Sequence, residues 1–252
     1  MTHIISIHSF RGGTGKSNIT ANIATAYAMQ GKRVGVVDTD IQSPGIHILF
    51  GLRDEGQMPY ALNDYLYGKC AIQDAAIDVT ANISESIQGR IFLIPSSIKP
   101  GEIARVLKES YEVRRLHQGI NDLSEVLKLD VLLVDTHPGL NEETLLSFAI
   151  SNAVGIVMRP DQQDYQGTGV TLTVARRLKI PKMLLIVNKA PPSLDLAQMQ
   201  ADVQQAYDTP VAALIPHNDE MMLLASEKVF VQAYPQHAIT TTFKTLAGEL
   251  LG

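Results

Sequence analysis

The sequence predicts an α/β protein: a doubly wound, mostly parallel sheet of about seven strands with helices on both faces. Three observations predict it. Apolar, β-branched runs alternate with helical patterns from one end of the chain to the other. Several runs are apolar throughout, among them Val131-Leu132-Leu133-Val134 and Met183-Leu184-Leu185-Ile186-Val187, as in strands covered on both faces. Finally, a glycine-rich loop joins the first apolar run to the first helical segment.

The strands are expected at 3–9, 33–38, 90–95, 130–135, 153–158, 182–188 and 211–215. Helices fit between them at 17–30, 99–119, 142–152, 165–178, 195–207 and 218–226, with a last one at 241–251. No Pro/Gly/Ser linker, charge block or internal repeat divides the chain, so residues 1–252 read as one domain. In such a fold, ligand chemistry is expected at the carboxyl ends of the strands.

Bulk properties narrow the function classes. The 252 residues are 45% hydrophobic and 19% charged, an ordinary globular balance with room for a large core. A net charge of −5 argues against a strongly basic nucleic-acid binder, although an average conceals local patches. The lone cysteine, Cys70, rules out a disulfide framework and reads as a small apolar filler. Met1-Thr2-His3-Ile4-Ile5 has no basic n-region or cleavage site, and no apolar run approaches the ~20 residues needed to span a bilayer. A soluble, cytoplasmic protein is expected.

The loop reads Ser9-Phe10-Arg11-Gly12-Gly13-Thr14-Gly15-Lys16-Ser17. Strand, glycine loop, lysine, hydroxyl and helix, in that order, build a phosphate cradle. Glycines let successive backbone N–H groups converge on phosphate oxygens, and the helix N-terminus adds partial positive charge. Lys16 is expected to reach the β and γ phosphates and Ser17 to hold Mg²⁺. The general pattern G-x-x-x-x-G-K-[ST] would put glycine at position 10, where this chain has Phe10. A nucleoside triphosphate is the expected ligand, with Arg11, Gly12, Gly13, Thr14, Gly15, Lys16, Ser17 and Asn18 around it.

Two further strand ends carry acid. Val36-Val37-Asp38-Thr39-Asp40 should place both carboxylates beside the phosphate loop, to hold a Mg²⁺ water shell and orient the attacking water. Spacing does not say which aspartate acts on the water. Asp135, ending an apolar strand, is the usual second Mg²⁺ anchor through water. After it, Thr136-His137-Pro138-Gly139 makes a turn able to differ between triphosphate and diphosphate states. His137 is read there as a hydrogen-bonding residue rather than a general base. At the later strand ends, Asn188 suits either adenine's edge or a plain turn role, and Pro216, His217 and Asn218 suit the ring face.

With these motifs together, the chain resembles the ParA/MinD family of P-loop ATPases over nearly its whole length. The resemblance rests on 12–17, Asp38-Thr39-Asp40, Val134-Asp135-Thr136-His137-Pro138-Gly139, Val187-Asn188-Lys189 and Leu214-Ile215-Pro216. It implies ATP and Mg²⁺ as cofactors, an ATP-dependent homodimer, and slow hydrolysis stimulated by a partner adaptor protein. The family's signature lysine, which reaches across the dimer to the partner's phosphates, is Arg11 here. Arg159 is the alternative cation for that task, since a guanidinium grips phosphate with two hydrogen bonds. The divergent loop is similar to the carboxysome-positioning branch, which implies carboxysomes as cargo and association with the nucleoid.

Relatives that cycle on membranes carry a basic amphipathic C-terminal helix. Here Phe243, Leu246, Leu250 and Leu251 form an apolar stripe with only Lys244 beside it, so a helix packed on the core is expected and no membrane partner. Non-specific DNA binding points to Arg176, Arg177, Lys179 and Lys182, or to Arg105, Lys108, Arg114 and Arg115 diluted by three glutamates. The first cluster is equally explained by a helix C-terminus, which favours cations. Competing readings are a membrane-cycling relative, a dethiobiotin-synthetase-type ATP-dependent ligase, and an iron–sulfur scaffold, for which Cys70 alone supplies too few thiolates.

Overall fold

The computed structural model describes residues 1–109 and 111–252. From the N-terminus run β1 (His3–His8), α1 (Lys16–Met29), β2 (Arg33–Asp38), α2 (Ile46–Leu49), α3 (Leu62–Leu66), β3 (Ile77–Asp78), α4 (Thr80–Ile83) and β4 (Arg90–Ile94). Next come α5 (Pro100–Lys108), α6 (Val113–Val126), β5 (Val131–Asp135), α7 (Glu142–Ile150), β6 (Ala153–Met158), α8 (Gln162–Arg177), β7 (Lys182–Ala190), α9 (Leu196–Tyr207), β8 (Val211–Pro216), α10 (Asp219–Leu223), α11 (Phe230–Ala233) and α12 (Ala238–Leu251).

The strands form one sheet in the order β3-β4-β2-β5-β1-β6-β7-β8. Every pairing is parallel except β3 with β4. The eighth strand beyond the expected seven is β3, two residues long and antiparallel, too short to leave an apolar run. The order changes direction at β1, with β5, β2 and β4 to one side and β6, β7 and β8 to the other. That reversal opens a crevice at the carboxyl end of β1, where the glycine loop leaves the sheet.

Register sets the chemistry of this crevice. Asp135 aligns with Ile7 of β1 on one side and with Asp38 of β2 on the other. The expected helix at 99–119 is instead two helices, α5 and α6. Helix α8 begins three residues earlier than expected, because Asp161 accepts from the backbone N–H groups of Gln163 and Asp164. Between β2 and β4, the chain folds into short helices that carry no long apolar period for a sequence reading to find.

Helices cover both faces. On one, α1 is buried along nearly its whole length against the sheet, α11 and α12. Small residues make that possible: Ala21, Ala24, Ala26 and Ala28 let neighbouring backbones approach closely. Tyr27, fully buried, donates its hydroxyl to the Ala247 carbonyl of α12 at 2.6 Å. The other face is covered by α3 and α6 over β2 and β5, and by α8 and α9 over β6 and β7. The stripe Phe243, Leu246, Ala247 and Leu250 lies inside the core, so α12 is a packed helix. Among the described residues, no helix is long and apolar enough to cross a membrane.

Truncating Phe243 should therefore act as a core deletion. Phe243→Ala is expected to destabilise the fold by about 3–5 kcal/mol, read as a lowered urea midpoint with an unchanged slope. A loss below about 1 kcal/mol would mean that α12 is only loosely attached.

Candidate nucleotide-binding site

The loop leaving β1 takes the backbone shape that its glycines allow. Gly13 (φ +77°) and Gly15 (φ +96°) lie in the left-handed region, and Gly15 caps α1. Gly15 also has Asn188 pressed against it, leaving no room for a Cβ. Lys16, the first residue of α1, is 6% exposed, and Ser17 follows it, half-buried. The loop is braced from β7: Asn188 Nδ2 donates to the Thr14 carbonyl at 2.7 Å, and Lys189 Nζ to the Gly13 carbonyl at 3.0 Å. Lys189 reaches it through a left-handed φ of +57° at an irregularity in the β7–β8 pairing.

Phe10 is explained by a residue on another element. Its ring lies directly on Gly167 of α8, where any side chain would collide with it. Beside it, Arg11 Nη1 lies 3.4 Å from Asp164 Oδ1 and 3.5 Å from Asp161 Oδ1. Arg159 reaches the same two carboxylates, with Nε 3.1 Å from Asp164 Oδ2 and Nη2 3.2 Å from Asp161 Oδ2. The two candidate cations thus converge on one acidic pair, and that pair anchors the start of the loop to α8.

Below the loop, the acids cluster as register demands. Asp38 and Asp135 are buried side by side. Burial pushes the Asp38 carboxyl well above the usual range, and the charge of Asp135 pushes it further. Asp135 is pushed up to about 6 by burial, against the downward pull of Lys16. Asp38 Oδ1 accepts from the Asp40 backbone N–H at 2.9 Å, while its buried Oδ2 has no partner among the described residues. A buried acceptor without a donor beside a second carboxylate suits a cation. Among the described residues, no cluster of three or more His, Cys, Asp or Glu side chains could hold a metal alone. Two carboxylates and the Ser17 hydroxyl fit Mg²⁺ instead, which keeps several waters and takes its remaining ligands from phosphate.

Asp40 sits apart at the rim, its Oδ1 2.7 Å from His137 Nδ1. His8 remains neutral: burial and the neighbouring Lys16 push its pKa down to about 3, so it adds no charge to the cradle. The expected base residues line one cavity of about 330 Å³ against the loop. Its walls include Gly15, Asn18, Asn188, Pro216, His217 and Asn218, to which the structure adds Lys189, Met221 and Met222. Asn188 belongs to this wall, but its amide is already engaged: Nδ2 on Thr14 and Oδ1 on the Lys189 N–H at 2.9 Å.

The basic clusters fare differently. Arg176 donates to the carbonyls of Tyr207 and Asp208 and to the Thr209 hydroxyl, so its guanidinium closes the end of α9. Arg177 and Lys179 stay exposed at the C-terminal end of α8, at the amino ends of the strands and away from the loop. Arg105 is paired with Glu109 and stacked on Tyr67. Sequence reasoning missed Asp161, Asp164, Gly167 and the brace from Lys189, whose contacts to the loop span 150 or more positions of chain.

A crevice of this build defines a P-loop nucleotide-binding protein. Comparison with known proteins agrees: a family model described as an AAA domain matches residues 2–184. An uncharacterized ATP-binding protein of Methanocaldococcus jannaschii is 28% identical over the whole chain and 89% of its own length. The septum site-determining protein MinD of Pyrococcus horikoshii, solved with Mg-ADP, superposes with a TM-score of 0.79 at 24% identity, covering 99% of this chain and 96% of that one. A ParA family ATPase of Chlorobium tepidum gives 0.75 at 18% identity over 99% and 100% of the two chains. The chain belongs to the AAA domain family so matched, and it is similar in sequence and fold to MinD and ParA ATPases.

The crowded acids give a pH-dependent prediction. Both carboxyl pKa values are raised in the fold, so their contribution to stability is full below about pH 4 and is lost as pH rises, for Asp135 through about 6. Asp38→Asn removes the repulsion. It should stabilise the nucleotide-free chain by about 1–3 kcal/mol near pH 8, and much less near pH 5. Thermal melts at the two pH values check this, and equal gains at both would contradict it.

Proposed function

We propose that this chain is an ATP-driven switch. It binds Mg-ATP in the crevice, closes face to face on a second copy, and separates when hydrolysis, stimulated by an adaptor protein, removes the γ-phosphate. The observation that carries this reading is the contrast between two cations of one loop. Lys16 is enclosed in the cradle at 6% exposure, whereas the Arg11 side chain is 38% exposed, within reach of another molecule.

Each group has a task that its position suits. The loop N–H groups and Lys16 hold the β and γ phosphates. Asn18, Pro216, His217 and Asn218 enclose the base, and Asn188 keeps the loop in shape from below. Ser17, Asp38 and Asp135 would hold Mg²⁺, which neutralises phosphate charge as the γ-phosphoryl group leaves. Asp40, at the rim, orients the attacking water. Arg11, with Arg159 in reserve on the same carboxylates, contacts the partner's phosphates.

The paired chains would bind nucleoid DNA without sequence preference, through Arg177, Lys179 and Lys182, and so position a cargo. The loop sequence points to carboxysomes. The apolar face of α12 is buried in the core, so that helix itself offers no membrane-binding face.

Size measurement by light scattering should show a dimer with ATP and a monomer with ADP or no nucleotide. Lys16→Ala should weaken nucleotide binding at least about 100-fold, the loss of a charged phosphate contact, and leave a monomer throughout. DNA retention should require ATP and fall by about one log unit per log unit of salt for each neutralised phosphate. Equal retention with ATP and ADP, or ATP-dependent sedimentation with anionic liposomes, would redirect the reading.

A further inference from the structure

Among the described residues, His137 is the one side chain that joins the turn after β5 to the acidic residue just past the end of β2. Its Nδ1 lies 2.7 Å from Asp40 Oδ1, with the two side chains 22% and 14% exposed. A carboxylate only accepts hydrogen bonds, so Nδ1 carries the proton and donates. The second donor to Asp40, the Ser43 N–H at 3.3 Å, also falls on Oδ1. Oδ2 is thereby left as the oxygen that can turn to a water. The turn holding His137 is itself tied down on both sides. Gly139, at φ +85°, donates its N–H to the Ser9 carbonyl at 3.1 Å, and its own carbonyl accepts from the Thr144 hydroxyl of α7 at 3.1 Å.

Asp38 and Asp40 therefore have separate surroundings. Asp38 is buried against Asp135 with an orphaned oxygen, whereas Asp40 is held at the rim by an imidazole. We propose that His137 is a positioning residue for ATP hydrolysis, its Nδ1–H fixing the Asp40 carboxylate so that Oδ2 orients the attacking water. The role needs no proton transfer to or from the imidazole. It rests on the hydrolysing switch proposed above, and adds that the backbone abutting the phosphate loop also sets the aim of Asp40. Movement of that turn would misplace the carboxylate, and small misplacements are costly in rate.

The test compares three variants. Asparagine carries an amide nitrogen at the same distance from Cβ as Nδ1, whereas glutamine carries it one methylene further. His137→Ala and His137→Gln should lower kcat about 10- to 100-fold, with KM for ATP, ATP-induced dimerisation and melting temperature unchanged. His137→Asn should keep kcat within about threefold, a loss small beside the misplacement penalty. In the nucleotide-free chain, nitrogen NMR should find the His137 ring protonated at Nδ1, with that resonance displaced by Asp40→Ala. Normal kcat in His137→Ala, an asparagine variant as slow as alanine, or a ring protonated only at Nε2 overturns the His137 role alone. Absence of ATP turnover by the unsubstituted chain overturns both this role and the switch.

Discussion

Asp38 and Asp135 are neighbours because β2 and β5 are neighbours, and the crevice is organised around the strain of that pairing. Two carboxyl groups, each stripped of water, lie side by side with Lys16 close by. Neither can ionise cheaply without a cation, so the site favours a divalent ion and the phosphates that accompany it. One local contact lowers the same strain: the Asp40 N–H donates its hydrogen bond to Asp38. Stability is given up where binding needs it, as is common in sites of this kind.

A second constraint frames the loop from above. Helix α8 offers a glycine where Phe10 needs space and two carboxylates where Arg11 and Arg159 need partners. From below, β7 supplies Asn188 and Lys189 to the loop carbonyls. The cradle is thus held on both sides by elements far away in sequence. Such preorganisation is what phosphoryl transfer requires of a protein, since positioning and charge do most of the work.

Much of this was legible beforehand, and the failures share a cause. Continuous apolar runs located seven parallel strands, and the spacing around Lys16, Asp38 and Asp135 put the acids and the loop at one end of the sheet. The short elements between β2 and β4 escaped, because four- and five-residue helices leave no period. Arg176 suits DNA or a helix C-terminus from sequence alone, and in the fold its guanidinium caps the end of α9. Asn188 looked like a base reader or a turn residue and proved to brace the loop as well.

What the amino-acid order determined alone was whatever depends on neighbours in the chain: the alternation of strand and helix, and a glycine turn opening a helix. Backbone hydrogen bonding and local sterics act over a few residues, so a few residues suffice to read them. What only the tertiary structure decided was the partner of each long polar side chain. Arg11, Asn188, Arg176 and His137 each have several rotamers and several possible partners. The choice fell to whichever carboxylate or carbonyl the packing of β5, β7, α8 and α9 brought within 2.7 to 3.4 Å.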